Sequence, residues 1–540
     1  MPSDRATTPF ANPLYDLPLD ERSIGRFLRL RAAEDADRPY LTFGDRTCTF
    51  AETEKRSRDL ARGLAQRGIG EGSRVLLLLP NGVEFVFVWY ACSLLGAAIV
   101  PLNTSLKGFL LEAQVEDARA TGVIVSADLL PALDGLSEAV KRNIPWLAVV
   151  GDTDDKAGAE RIVTRDRLLP FAALYVDAGA DPEVPGDFRR IGFISYTSGT
   201  TGASKGVMLP DGLCFQSACT FMRLSGMTRE DVLYTPLPLF HGLSSRMCML
   251  PALVLGAQVV LDQRFSASRY WQQAAACKAT LGYVVHALVP LLKAQPPGVH
   301  DRAHGLRAVF NAPHDLDFEA RFGVRALEAF AMTETSYLLY NPYPQRELGS
   351  TGRAHEDWEL ALFDDNDMPV PPGKAGELVG RPRKPYIAMQ GYLNQPQATL
   401  DAWRNLWFHT GDILRCDAAG NYFYVDRKKE RIRRRGENVS SSEVERGVAA
   451  HPAIAECVAL AHPAGAGEDD IRLVVVLKAG AVLEPAALWG WLQGRLPKFM
   501  LPRFIEFTDV LPRTGTDKVE KNRLVRQGLG VGAWDAQAHA

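Results

Sequence analysis

Residues 191–210 read IGFISYTSGTTGASKGVMLP, and no other stretch limits the fold so tightly. IGFIS is β-branched and aromatic enough for a buried strand, so the glycines begin where a strand ends. Gly199, Gly202 and Gly206 let backbone N–H groups turn inward as an anion-binding nest. Thr197, Ser198, Thr200, Thr201 and Ser204 add hydroxyl donors, and Lys205 adds a full positive charge. A Walker loop would need Gly, four residues, then Gly-Lys-Ser/Thr; here Ser204 stands at the fifth place after Gly199, and Gly206 follows Lys205. Pro210 also ends VML before a helix of any length can begin, whereas a Walker loop feeds a helix directly. The expectation is a strand–loop–strand phosphate grip. A plain surface loop would leave a single lysine among these hydroxyls, directly after a buried strand, without a reason.

Around this loop, strand-like runs such as VLLLLP (75–80) and TGVIVSA (121–127) alternate with amphipathic stretches such as KRSRDLARGLAQRGI (55–69), the pattern of α/β layers. The 540 residues exceed what one domain normally holds. The charged run DRKKERIRRRGEN (426–438) breaks the composition, and beyond it SEVERGVAA, IAECVALA, IRLVVVLKA and ALWGWLQGRL carry helix and strand signals of their own. The expected fold class is therefore α/β: a large multi-subdomain N-terminal domain with layered sheets, 1–428, and a small α+β C-terminal domain, 429–540. The apolar run FVFVWYACSLLGAAIVP (85–101) is shorter than the roughly 20 residues a membrane span needs, Gly96 interrupts it and Pro101 ends it, so it reads as buried helix, turn and core strand. The N-terminal MPSDRATTPFANPLYDLP has no apolar core for a secretory signal or anchor and reads as a loose arm. A net charge of −3, well mixed, gives no global attraction to nucleic acid. Eight scattered cysteines, without a CxxC pair or zinc spacing, read as reduced, mostly packed thiols of a cytoplasmic protein. A homodimer is left open.

Taken with further motifs in order, the loop resembles that of the adenylate-forming enzymes, which include acyl-CoA synthetases, luciferases and the adenylation domains of peptide synthetases. The motifs are PLPLFH (236–241), FAMTET (330–335), WFHTGD (407–412), DRKKERIRRRGENVSSSEVE (426–445) and LPRTGTDKVEKNRL (511–524). Each is moderately specific alone, and their order across nearly the whole chain is highly specific. The resemblance implies ATP, Mg²⁺ and coenzyme A as cofactors or co-substrates and a small carboxylic acid as partner, with no nucleic acid and no integral membrane. The chemistry asks an enzyme to neutralise phosphate charge and hold two anions together. In the roles the resemblance implies, the loop from Thr197 to Lys205 grips phosphate, with Thr200 and Lys205 catalytic. Glu334 is the metal partner, Thr333 contacts the α-phosphate, and Phe330 stands where a tyrosine usually stacks on adenine. FAMTE alone would equally suit a helix start with Thr333 as N-cap. Asp412 and Arg427 are the ribose contacts, although an Asp after Gly is by itself more often a turn residue. His241 is the gate beside the acyl site.

From the second domain, the resemblance makes Lys518 the catalytic lysine that bridges carboxylate and α-phosphate as charge builds. Lys429 takes the hinge position about which the small, mobile domain turns after adenylation, and Gly436 a place in the thiol tunnel. The chain departs from the family pattern at Arg435, where a second glycine is usual, at Asp517, and at Ala331 on the expected acyl-pocket wall. The basic cluster that includes Arg433, Arg434 and Arg435 is a candidate for the phosphates of CoA. The acyl pocket is expected within 240–246 and 284–288. GENVSSSEVE and QPPGVHDRAHGLRAVF (295–310) look most like the carnitine/crotonobetaine-CoA ligase branch, without fixing the acid. Transfer to a carrier-protein pantetheine, or a non-catalytic nucleotide-binding scaffold, are the alternatives.

Overall fold

The computed structural model describes residues 23–538 except 152–155, 183–186, 198–203, 286–287, 311–314, 365, 428–431, 435–436, 440, 466–467, 513–518 and 520. The chain builds an eight-stranded sheet and a seven-stranded sheet. In the eight-stranded sheet Ala98–Pro101, Arg74–Leu78, Gly122–Ser126 and Leu147–Val150 run parallel. Such strands are covered on both faces, which is why VLLLL is apolar at every position and not at every second one. Ile191–Thr197 joins parallel to Ala98–Pro101, Lys205–Pro210 turns back antiparallel to it, and Gly391–Tyr392 closes the edge. In the seven-stranded sheet Val232–Thr235 lies between Gln258–Leu261 and Leu281–Tyr283, all parallel.

The helix Val83–Leu94 is apolar nearly all round because it is buried between elements of both sheets, and the strand Ala98–Pro101 follows it. The run 85–101 is thus helix, turn and strand, and among the described residues no helix is long and apolar enough to cross a membrane. The amphipathic helix Phe50–Gln66 starts at a capping box in which Thr49 and Glu52 exchange side-chain and backbone bonds. A third, antiparallel sheet of seven strands includes Ala329–Met332, Ser336–Tyr340, Phe408–Cys416 and Asn421–Arg427. FAMTE is therefore the end of a strand and the turn after it, not a helix start, because its apolar residues pair with Ser336–Tyr340.

Beyond the charged stretch, Ile454–Gly465, Glu468–Leu477, Phe504–Phe507 and Trp534–Asp535 make a four-stranded sheet, with the helices Ser441–Ala449, Pro485–Gln493 and Lys521–Gln527 around it. One apolar cluster runs from the eight-stranded sheet (Leu76, Val123) through Ile432 and Val439 into this unit (Val448, Leu488). None of the eight cysteines is in a disulfide, and five of them are buried.

Candidate active site

The pairing of Ile191–Thr197 with Lys205–Pro210 sets Thr197 opposite Lys205 and so draws the two ends of the glycine loop together. The helix Asp211–Ser225 does start directly after Pro210, but the loop itself feeds a strand, which is the difference from a Walker loop. A Cβ on Gly206 would come within 3.2 Å of Leu393 and 3.3 Å of Tyr196, tighter than an ordinary contact. Lys205 places its Nζ 4.6 Å from the centre of the Tyr392 ring. The Tyr392 hydroxyl in turn donates to Glu334 Oε1 at 3.0 Å, and Met389 N–H donates to the Glu334 carbonyl at 2.7 Å. Tyr392 thus joins the loop lysine to the expected metal carboxylate, and both Tyr392 and Glu334 are buried. Tyr392 was not among the residues expected from the sequence. The signal was the aromatic in QGYLN, but its partner Val207 lies far away in the chain, a strand pairing that local pattern does not reveal.

Phe330 and Thr333 are half-buried at the end of Ala329–Met332. Asp412 is buried within Phe408–Cys416 and not in a turn; its N–H donates to Thr410 Oγ1 at 3.1 Å, and the Tyr424 hydroxyl stands 3.4 Å from its Oδ1. Arg427, the second expected ribose contact, is the cross-strand register partner of Asp412. Its side chain lies outside the described residues, as do Ser198, Gly199, Thr200, Thr201, Gly202, Lys429, Arg435, Gly436, Asp517 and Lys518.

His241 precedes the short helix Gly242–Ser244 and reaches out of the large domain: its Nε2 lies 3.1 Å from Glu437 Oε1, on the hairpin Ile432–Arg434/Glu437–Val439. Burial pushes the imidazole pKa down, but the Glu437 carboxylate outweighs it and the net shift is upward. For Glu437, burial raises the carboxyl pKa and His241 outweighs that, leaving it lowered. A second bridge joins Ser204, at the foot of the loop, to Glu443 at the start of Ser441–Ala449. A cleft of about 710 Å³ lies beside it, lined by Gln114, Tyr196, Ser204, Asn394 and Arg446. Arg434 turns inward, bonding the Leu501 carbonyl and lying 3.3 Å from Asp470, so it leaves the expected phosphate-binding surface, whereas Arg433 stays exposed. Lys521, just after the Lys518 segment, is held by Ser441 Oγ at 3.0 Å and Glu445 Oε1 at 2.8 Å.

Residues 28–393 match the AMP-binding enzyme domain, and residues 443–518 match the AMP-binding enzyme C-terminal domain. The chain belongs to the AMP-binding enzyme family. It is 30% identical over 472 residues to the crotonobetaine/carnitine--CoA ligase of Salmonella typhimurium, covering 85% of this chain and 89% of that one. A double mutant of o-succinylbenzoate CoA synthetase (MenE) from Bacillus subtilis, bound with a product analogue, superposes with a TM-score of 0.77 at 26% identity, over 92% of this chain and 98% of its own. The same synthetase in complex with AMP, also at 26% identity and over 92% and 97% of the two chains, gives 0.62. This member of the family thus has both family domains and the layered α/β architecture of CoA ligases.

Proposed function

We propose that the protein condenses a small carboxylic acid with ATP to an acyl-adenylate, releasing pyrophosphate, and then passes the acyl group to the sulfur of CoA, releasing AMP. The observation that carries this reading is the chain of contacts from Lys205 through Tyr392 to Glu334, built at the mouth of a glycine- and hydroxyl-rich loop. In a polyphosphate-binding site, Lys205 offsets charge on the leaving pyrophosphate, and the hydroxyls and N–H groups of 197–204 hold its oxygens. Asp412 accepts from the ribose hydroxyls with Arg427 opposite it, Phe330 covers the adenine, and Thr333 meets the α-phosphate.

The donor set fits Mg²⁺. Among the described residues no group of three or more His, Cys, Asp or Glu could hold a metal, so Glu334 would be a lone protein carboxylate, as suits an ion that takes most of its shell from phosphates and water. Bound there, Mg²⁺ would offset the charge of the phosphate oxygens. Tyr392 donates to one Glu334 oxygen and so orients the carboxylate.

The domain division proposed is 1–428 and 429–540, with Lys429 as hinge. The His241–Glu437 and Ser204–Glu443 bridges hold the small domain on the large one in one of two arrangements. The better superposition on the product-analogue complex than on the AMP complex supports the thioester-forming arrangement, in which Gly436 and Arg435 border the thiol path. In the other arrangement Lys518 reaches the carboxylate and α-phosphate during adenylation. Cysteines without disulfides suit a cytoplasmic enzyme. ATP–pyrophosphate exchange across a panel of acids, followed by CoA addition, tests the reading. Acid-dependent exchange and CoA-dependent thioester are expected, and no exchange with any acid would overturn it.

A further inference from the structure

Arg246 is one of the largest fully buried side chains, 2% exposed, in the single wide helical turn Ser245–Met249. Its guanidinium lies against the Cα of Gly242, next to the His241 gate: a Cβ on Gly242 would stand 2.2 Å from Nη2 and 2.8 Å from Nε. Among the described residues, Nε and Nη1 have no hydrogen-bond acceptor and no carboxylate comes within 4.0 Å of the group. The nearby ionisable groups are Cys214, Glu334 and Tyr337. Burial pushes the Cys214 thiol up to about 12, so it stays neutral, and Glu334 has an oxygen engaged by Tyr392. The Tyr337 hydroxyl, also buried, has no hydrogen-bond partner among the described residues either. A buried cation without an acceptor is among the least favourable arrangements a protein interior can hold, and it persists where a ligand completes it.

The surroundings say which ligand. Tyr337 meets Phe310 edge-on with ring centres 6.5 Å apart. Leu243, Val285, Leu288, Phe310 and Ala331 pack on the main core while keeping part of their surface open. Leu243, Val285, Leu288 and Ala331 belong to the stretches expected to wall the acyl pocket. A mostly apolar pocket with a few placed polar donors is how a site selects an acid with a second polar end.

Resting on the adenylation reading above, we propose that Arg246, with the Tyr337 hydroxyl beside it, binds a second anionic group on the acid being activated, so that the substrates are dicarboxylic acids or acids with an equivalent distal oxyanion. Neutral acids would leave the guanidinium unpaired, and quaternary-ammonium acids would set like charges together. A site built for a polar group discriminates strongly against analogues that lack it, because its donors are then stranded.

The test compares ATP–pyrophosphate exchange by the full-length enzyme on matched sets: succinate, glutarate and phthalate, their monomethyl esters, and quaternary-ammonium acids of similar length. The expected result is kcat/KM at least about tenfold higher for a diacid than for its half-ester, and no use of the cationic acids. Arg246→Met should lose at least about tenfold on the diacid, mainly through KM, while the half-ester is kept or improved and KM for ATP stays put. Gly242→Ala, which displaces the guanidinium and leaves its charge, should move the preference the same way and serves where Arg246→Met does not fold. Half-esters or cationic acids used as well as diacids by the wild type would overturn the proposal, as would equal losses on both in the variants. Exchange with none of the acids would instead count against adenylation itself.

Discussion

Replacing Tyr392 by Phe takes one hydroxyl from the contact that joins Lys205 of the glycine loop to Glu334, the carboxylate proposed for the metal, and leaves the ring in place. The lost bond, 3.0 Å long between a buried tyrosine and a buried carboxylate, is of a kind worth about 1.5–3 kcal/mol. At about 1.4 kcal/mol per decade that corresponds to roughly 10- to 150-fold in kcat/KM if the bond is fully used in the transition state. Lys205 keeps an aromatic face beneath it in this variant. Tyr392→Ala removes that face as well, a further ~0.5–2 kcal/mol, and empties a core position at a cost of about 3–5 kcal/mol in stability. Pyrophosphate exchange measured against Mg²⁺ concentration, with a thermal melt of each variant, separates the effects. Tyr392→Phe should exchange at least about tenfold more slowly, need more Mg²⁺, and melt near the wild type; Tyr392→Ala should be slower still and melt lower. Wild-type exchange and Mg²⁺ dependence in Tyr392→Phe would refute a working link between Lys205 and Glu334.

Burial pushes the Asp211 carboxyl up to about 7, against the pull of Arg190 and with help from Asp187. Because that lies above the unfolded value of about 3.9, its contribution to stability is full below about pH 4 and is lost as the pH rises through about 7, on the order of 4 kcal/mol in all. Asp211→Asn should therefore gain on the wild type in melting temperature between pH 5 and pH 8, and a constant difference across that range would contradict the assignment. The raised His241 and lowered Glu437 make the proposed domain latch one that holds below the ordinary histidine pKa, weakens as the pH rises through the raised one, and is also lost when acid protonates Glu437. For a half-exposed pair the effect is about 1 kcal/mol or less, so Glu437→Gln should slow thioester formation from supplied acyl-adenylate by less than about tenfold at pH 6 and not at alkaline pH; an equal effect at both would argue against an ionic latch. Asp412→Asn should raise KM for ATP without altering KM for the acid, measured in the same exchange assay.

The strand before the glycine loop, the helix–turn–strand reading of 85–101 and the order of motifs were legible because each rests on local pattern. What was not legible depends on pairing across the chain. Tyr392 meets the loop strand through a sheet edge formed by residues nearly two hundred positions later. Arg434 sits in a run of basic residues that looks uniformly solvated, yet strand alternation in Ile432–Arg434 turns it inward to Asp470 and leaves Arg433 outside. Arg246 falls inside the stretch expected to wall the acyl pocket, but its burial depends on how Gly242, Cys214 and Tyr337 converge from separate elements. FAMTE fits a helix start in isolation; only its pairing with Ser336–Tyr340 makes it a strand end.

The most direct test of the two-step account follows ATP labelled at the α-phosphate through a single turnover, in wild type and in Lys518→Ala. The account predicts that the wild type, given an acid it accepts, accumulates acyl-adenylate without CoA and discharges it to AMP and thioester when CoA is added. Lys518→Ala should form acyl-adenylate on the order of a hundredfold more slowly or worse, yet convert supplied acyl-adenylate to thioester at close to the wild-type rate. Release of ADP in place of AMP, or an equal loss of both half-reactions in Lys518→Ala, would contradict it.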